Sequence, residues 1–463
     1  MQPTGRIPRA LAILTGALLL LWPAILNGYP LLYPDSMSYL GDGRPLARIL
    51  FLHAPRDYTA MRSEIYSLGI FPFHWNITAW PIVFLQALLT AYILYLVARF
   101  FAPRRTVTIY LALITILSLT TSLAWYTCLI MPDILGPVLY LCLYLLVFAR
   151  ATLTTRESLA VAAIAAWSMA AHSTHLMLAV FILLWLATLL LCRFPPVRLR
   201  ALAPLAGVIA IVVAAQFALH DYLYGKPSLY GNHMPYLTAR IVADGPGRWY
   251  LQQHCAMLNW AICTRVADLP DNDDAFLWAD GGVWAAASPA QREQMLREEM
   301  PLVRAAVREY PRAQFQRSLA NFWQELLDFG LWDLVPNDWM SSQLNTVLPG
   351  ALPTYQRTRQ ARRLLPTEFF SSLQLWVVAA SALAIAVSVP FLWLRRRWQV
   401  LGLIAILVPT VIANAFVTAV LAEADSRYQS RIIWLIPIAA LLIALDLLAR
   451  RRDTIATPTV FVP

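Results

Sequence analysis

Charge is scarce in this chain. Only 13% of its 463 residues are Asp, Glu, Lys or Arg, where a soluble domain carries about 25%. A further 59% are hydrophobic. That balance excludes an ordinary soluble protein and predicts a polytopic membrane protein. Lysine is rarer still: Lys226 stands alone, a bias toward arginine that reflects genome composition rather than chemistry. The five cysteines come with no CxxC pair and no His-x-x-x-His, which argues against a zinc site. No small-residue cleavage site follows the first apolar run. Arg6, Arg9 and that run therefore read as an uncleaved first helix rather than a leader. Internal repeats and low-complexity tracts are absent as well.

The net charge is +10. In a soluble protein this would suggest a nucleic-acid partner. Here the arginines gather at the ends of apolar runs, so topology accounts for them and no nucleic acid is expected. At about 20 residues per crossing, the runs predict spans near 10–28, 79–99, 106–124, 132–149, 158–172, 175–192, 201–219, 371–394, 398–421 and 431–449. The arginine groups at 6 and 9, 99 to 105, 150 and 156, 193 to 200, 395 to 397 and 450 to 452 then fall on one side. The positive-inside rule makes that side the cytoplasm and puts both termini there. A single long helix over 158–192 would leave Arg193 outside, so two short spans with a tight turn fit better. The expected fold is an all-α polytopic membrane protein. It has about ten transmembrane helices and an inserted, mainly helical outer segment. Its divisions are 1–219, with a first outer loop at 28–78, then 220–370, 371–452 and a tail at 453–463.

Polar clusters concentrate on the outer side. The first outer loop mixes polar and apolar residues over 40–70, as short helices lying on a membrane do. It also contains Asn76-Ile77-Thr78, a glycosylation pattern discounted because it abuts a span. In 220–370, Ser288-Pro289 reads as a helix start. Apolar residues then recur at helical spacing from Met295 to Val307, and from Phe315 through Leu319, Phe322 and Leu326 to Phe329. This predicts a packed helical cap. Cys255 and Cys263 share that segment, where a disulfide is allowed, and a bridge between them is expected. Cys128, Cys142 and Cys192 lie in or beside spans as small apolar residues.

Four outer features are candidates for chemistry. Asp35 follows the first span directly in Tyr33-Pro34-Asp35-Ser36. An acid at that depth is costly without partners and marks a functional site, although it also suits a helix cap. Asp133, in Met131-Pro132-Asp133, opens the fourth span at the same level, where it would also favour a helix dipole. Arg427, Tyr428 and Arg431 occupy the last outer loop. Arginine there runs against the positive-inside rule and calls for an anionic partner, either Glu423 or Asp425, or a phosphate gripped by the planar fork. His172 and His175 flank the tight turn at 172–175. They read as turn-satisfying residues or as phosphate or metal contacts. Two carboxylates, arginines and imidazoles on one face suit transfer of a group from a phosphate leaving group. The carboxylate would take a proton as base, and an arginine would stabilise the departing phosphate.

With these residues in place, the chain resembles the GT-C superfamily of integral-membrane glycosyltransferases. The resemblance rests on Pro34-Asp35-Ser36 after the first span, Met131-Pro132-Asp133 in the next outer loop, and Arg427-Tyr428 before a final proline-containing span. Arg62 with Tyr66, then Trp80 and Gln86 entering the second span, look similar to bacterial members. The resemblance implies a bacterial inner-membrane enzyme with its active site facing the periplasm. It implies inverting transfer of a sugar from a polyprenyl-phosphate donor to a glycan, lipid or protein acceptor. Asp35 would be the base or acceptor-orienting acid, with Asp133 supporting it. Many members carry a paired acid beside the first; here Ser36 stands there and the next acid is Asp42, so a divalent metal cofactor is left open. A transporter or flippase of lipid-linked substrates is the alternative, disfavoured because span interiors are nearly free of charge. A non-catalytic envelope assembly protein is the third reading.

Overall fold

The computed structural model describes residues 8–60, 62–231 and 233–455, with side chains up to 448. Arg6 and the tail from 456 lie outside the described residues, as do the side chains of Arg450 to Arg452. Among the described residues the chain is helical and forms no strand. An isolated parallel bridge joins Leu31 to Leu129. Contacts divide the chain into two units. The first comprises 1–231, 329–411 and 430–463, and the second comprises 232–328 and 412–429.

Among the described residues, six helices are long and apolar enough to cross a membrane: Trp80–Phe101, Ser173–Leu191, Leu199–Tyr224, Thr367–Leu394, Trp398–Leu421 and Ser426–Leu448. The last is interrupted by a turn at Trp434. The Thr367–Leu394 helix buries only 17% of its apolar window and exposes Leu375, Trp376, Leu383, Val387 and Leu394. Apolar exposure along a whole helix is tolerable in lipid and not in water.

The other four expected spans fall on shorter helices, and the reason is local. Arg9–Leu20 stops one turn before Pro23. Thr106–Thr120 ends where Thr121 turns extended. A 3-10 turn at Pro132–Ile134 precedes the Leu135–Phe148 helix. Thr155–Ala170 breaks before the extended His172. A 12-residue helix such as Arg9–Leu20 covers about 18 Å of a hydrocarbon layer roughly 30 Å thick. Glu157 ties two of these helices, Arg9–Leu20 and Thr155–Ala170, to Trp80–Phe101. It caps its own helix at Thr154, meets Arg9 at 2.6 Å and takes both Arg99 amino groups at 2.7 and 2.8 Å.

The loop after the first helices becomes two packed helices, Pro34–Leu52 and Glu64–His74. The glycosylation pattern is engaged structurally, since Asn76 Nδ2 donates to the carbonyls of Leu40 and Val347.

The second unit packs short helices around Ala239, Val242, Leu251, Phe276, Met295 and Leu302. Its charges are organised by helix ends. Glu299 accepts the amides of Leu237 and Thr238 at the start of Tyr236–Asp244. Glu298 accepts that of Ala261 at the start of the 3-10 turn Ala261–Asp268. Carboxylates at such positions satisfy orphan amides and match the helix dipole. Gly245, at φ 108°, turns the chain from Tyr236–Asp244 into Pro246–His254. Cys255 and Cys263 are bonded, joining the end of that helix to the 3-10 turn.

Candidate functional site

The site is built on two short segments sewn together. The Leu31 amide donates to the Cys128 carbonyl at 2.9 Å, and the Ile130 amide donates back to Leu31 at 3.0 Å. Ser36 completes the join. Its hydroxyl accepts from the Tyr33 amide at 2.9 Å and donates to the Ile130 carbonyl at 2.8 Å, fully buried. The residue standing where a paired acid was sought therefore holds the segment before Asp133 to the helix that carries Asp35. A carboxylate at 36 would face the Ile130 carbonyl in place of that hydroxyl donor. Gln360 clamps the same segment, accepting from the Leu32 amide at 3.1 Å and donating to its carbonyl at 2.7 Å.

Asp35 is the second residue of the Pro34–Leu52 helix and does not cap it, because the preceding cap position is Tyr33. Its carboxylate meets Arg62 Nη2 at 2.6 Å, and both side chains stay about one-fifth exposed, at 20% and 18%. The same helix face continues through Tyr39 and Asp42, one and two turns on. Asp42 is buried; it accepts the Tyr58 hydroxyl at 2.6 Å and the Arg62 amide at 3.4 Å. Burial, and then the hydrogen bond and charge of Asp42, push the Tyr58 hydroxyl pKa up, which keeps it a donor. Asp42 thus fixes the backbone of the residue whose guanidinium faces Asp35. The sequence reading noted Asp42 only as a distant acid. Its seven-residue spacing from Asp35 is the helical signal that places both on one face.

Tyr66 and Gln86 form the floor. The buried Tyr66 hydroxyl donates to Gln86 Oε1 at 2.6 Å, and Gln86 Nε2 donates to the carbonyls of Thr127 and Leu129, each at 2.9 Å. Tyr39 packs edge-on to Tyr66, 4.9 Å between centroids. Burial first, then Tyr39 and Asp133, hold the Tyr66 pKa far above its ordinary value.

Asp133 differs from Asp35 in one decisive respect: it is sealed. It meets Arg431 Nη1 at 3.3 Å, and each side chain is 1% exposed. The anionic partner that Arg431 needs is therefore Asp133, not Glu423 or Asp425. Arg431 Nη2 also donates to the Thr174 hydroxyl at 3.3 Å, and that hydroxyl lies 2.8 Å from His172 Nδ1. The Thr174 amide points at the same nitrogen. Since an amide only donates, Nδ1 accepts and the His172 proton sits on Nε2. The sequence reading missed Thr174, although its place between two histidines was visible. His175 turns inward: its Nδ1 bonds the Ser168 carbonyl at 2.9 Å, and the ring packs on Gly136, where a Cβ would come within 2.8 Å of Nε2.

Arg427 and Tyr428 belong to the second unit. The Arg427 guanidinium lies over the Tyr428 ring at 4.7 Å, 4.0 Å from Asp425. Asn414 holds the Tyr428 carbonyl at 2.9 Å. Glu423, Asp425, Asp273 and Asp274 crowd this unit. Burial, and then the charges of Asp274, Asp273 and Asp425, push the Glu423 carboxyl up to about 8.

Among the described residues, no group of three or more His, Cys, Asp or Glu side chains is placed to hold a metal ion. One oxygen each of Asp35 and Asp133 faces an arginine, and no step below runs through a metal. A shallow cavity of about 300 Å³ lies apart from both acids. It is lined by Tyr29, Thr78, Trp80, Gly350 and Thr354. Comparison with protein-family models, with curated proteins and with solved structures found no match to this chain.

Proposed function

We propose that this protein is a multi-pass membrane glycosyltransferase of the GT-C type, transferring a sugar from a polyprenyl-phosphate donor to an acceptor hydroxyl on the periplasmic face. The observation that carries this reading is the contrast between the two acids. Asp35 is solvent-reachable and paired with an equally reachable arginine, whereas Asp133 is sealed against Arg431. Asp35 is the base and Asp133 is a positioning residue.

In the reaction, the acceptor oxygen attacks the anomeric carbon from the face opposite the phosphate. The bond from that carbon to the phosphate oxygen breaks with its electron pair, and the acceptor proton passes to Asp35. Inversion follows from the single displacement. Arg62 exchanges its contact with Asp35 for the phosphate as charge develops there, which suits its planar fork. The lipid tail of the donor stays in the bilayer. Ten membrane crossings, with the four shorter helices completing the count, put both termini in the cytoplasm and Asp35 outside.

The test is full-length protein reconstituted with a radiolabelled polyprenyl-phosphate sugar. Asp35→Asn should fold normally, with unchanged thermal unfolding, and lose transfer by about 10²- to 10⁴-fold, the usual worth of a general base. A folded variant that transfers at the parental rate removes Asp35 from the chemistry. Comparing envelope glycans with and without the gene identifies the acceptor.

A further inference from the structure

The Pro311–Leu327 helix is built inside out. Three of its polar residues, Gln314, Asn321 and Glu325, face the protein, while Gln316 and Gln324 are exposed. Gln314 Nε2 and Asn321 Nδ2 donate to the two oxygens of Asp244 at 2.7 and 2.9 Å, and Asp244 is buried. Glu325, also buried, accepts the Asp425 amide at 2.8 Å. The apolar residues face out: Phe315 is 69% exposed, Leu319 43%, Trp323 51% and Leu327 68%. They recur every fourth residue and so form one stripe, about 18 Å long at the helical rise. The sequence pattern alone predicts the opposite, that this face packs on a core. Fixing polar groups inward and leaving two aromatic and two leucine side chains bare makes sense only against an apolar phase.

Two further observations select lipid as that phase. The Asp425 amide held by Glu325 lies four residues past the end of the membrane-length helix Trp398–Leu421. The C-terminal half of the inside-out helix is therefore anchored at the mouth of a span, at the level of the membrane surface. Arginines surround the other half: Arg304 and Arg308 at the end of the preceding helix, then Arg312 and Arg317, all exposed. None of the four forms an ion pair among the described residues. An apolar stripe with aromatic residues and arginine along its margin matches a helix lying in the plane of an interface, with lipid phosphates as the counter-charge.

We propose that Pro311–Leu327 lies in the membrane interface, with Phe315, Leu319, Trp323 and Leu327 in the acyl boundary. Arg312 and Arg317 bind the phosphates of anionic lipids. This holds whether or not the protein transfers sugar, and its test does not measure transfer. The full-length protein carrying Cys192→Ser is given single cysteines by Phe315→Cys, Leu319→Cys or Leu327→Cys, with Gln316→Cys as control. Cys255 and Cys263 stay bonded, and Cys128 and Cys142 are buried. Each variant is spin-labelled in nanodiscs of phosphatidylglycerol and phosphatidylethanolamine, and its collision rates with oxygen and with a water-soluble nickel chelate are measured. The stripe positions should show an oxygen-to-nickel ratio severalfold above that of Gln316→Cys. Ratios equal to the control would mean the stripe faces water, and positions closed to both reagents would mean a protein covers it; either result overturns the proposal. Phosphatidylcholine in place of phosphatidylglycerol should lower the ratio, and Arg312→Gln with Arg317→Gln should abolish that lipid dependence. A ratio indifferent to lipid charge removes the arginines from the proposal.

Discussion

Asp35 and Glu423 show how differently a carboxylate behaves according to its neighbours. Asp35 has one arginine at 2.6 Å and access to solvent. Glu423 has three acids around it and a single opposing arginine, Arg427, with a pKa of about 8. A carboxyl raised in the folded state stays protonated there while its unfolded counterpart ionises near 4.5. The stabilising contribution is thus complete below pH 4.5 and is lost as pH rises through about 8. Amide exchange in residues 233–328 of the full-length protein should accelerate between pH 5 and pH 8.5 beyond the intrinsic pH effect. Glu423→Gln, neutral at every pH, should flatten that trend. An unchanged trend in Glu423→Gln would assign the dependence to another group.

At the scale of elements, the 3-10 turn carrying Asp133 and the helix carrying Arg431 are joined by an ion pair with no access to water. Desolvating two charges costs about as much as their attraction returns, so such a pair adds little net stability, yet stranding one partner costs about 3–5 kcal/mol. Arg431→Met alone should therefore lower stability by roughly that amount in thermal or denaturant unfolding. Asp133→Leu combined with Arg431→Met should recover most of it. A double variant as unstable as the single one would show that Thr174 and His172 depend on the arginine more than Asp133 does. This pairing was not legible in the sequence. Both residues stood out as ionisable groups at apolar run ends, but 298 positions separate them, and nothing in either local pattern selects the other. Helix faces were equally opaque: the spacing of Phe315, Leu319 and Phe322 shows that one face is apolar without showing whether protein or lipid meets it.

For the whole molecule, run length was the readable quantity. The run at 398–421 is the helix Trp398–Leu421, and that at 371–394 lies within Thr367–Leu394, because apolar residues fill each run and Arg395 to Arg397 separate the two. Where a proline or an extended residue interrupts a run, as near Pro23 and His172, hydropathy counts a crossing and the backbone ends a helix early. The proposed ten crossings make a topological forecast that can be checked. Reporter fusions at either terminus should be active in the cytoplasm, and reporters inserted in 53–60 or 279–287 should be active outside. Termini on opposite sides would rule out an even number of crossings.

The clamp on Leu32 has a consequence in time. Gln360 holds both polar groups of the Leu32 peptide across 328 positions of sequence. Ser122, on the segment leading to Leu129, is held by Gln374 and Ser430. At a synthesis rate of about 5–20 residues per second, roughly 15–65 s pass between the emergence of Leu32 and that of its clamp. Throughout that interval the nascent chain carries Asp35 on a segment still missing its fastener. A ribosome that stalls before residue 360 leaves a chain that carries three of the six membrane-length helices found among the described residues and whose acid-bearing segment is unfastened. Quality control that senses such a product would have to read this unfastened segment rather than the membrane-length helices.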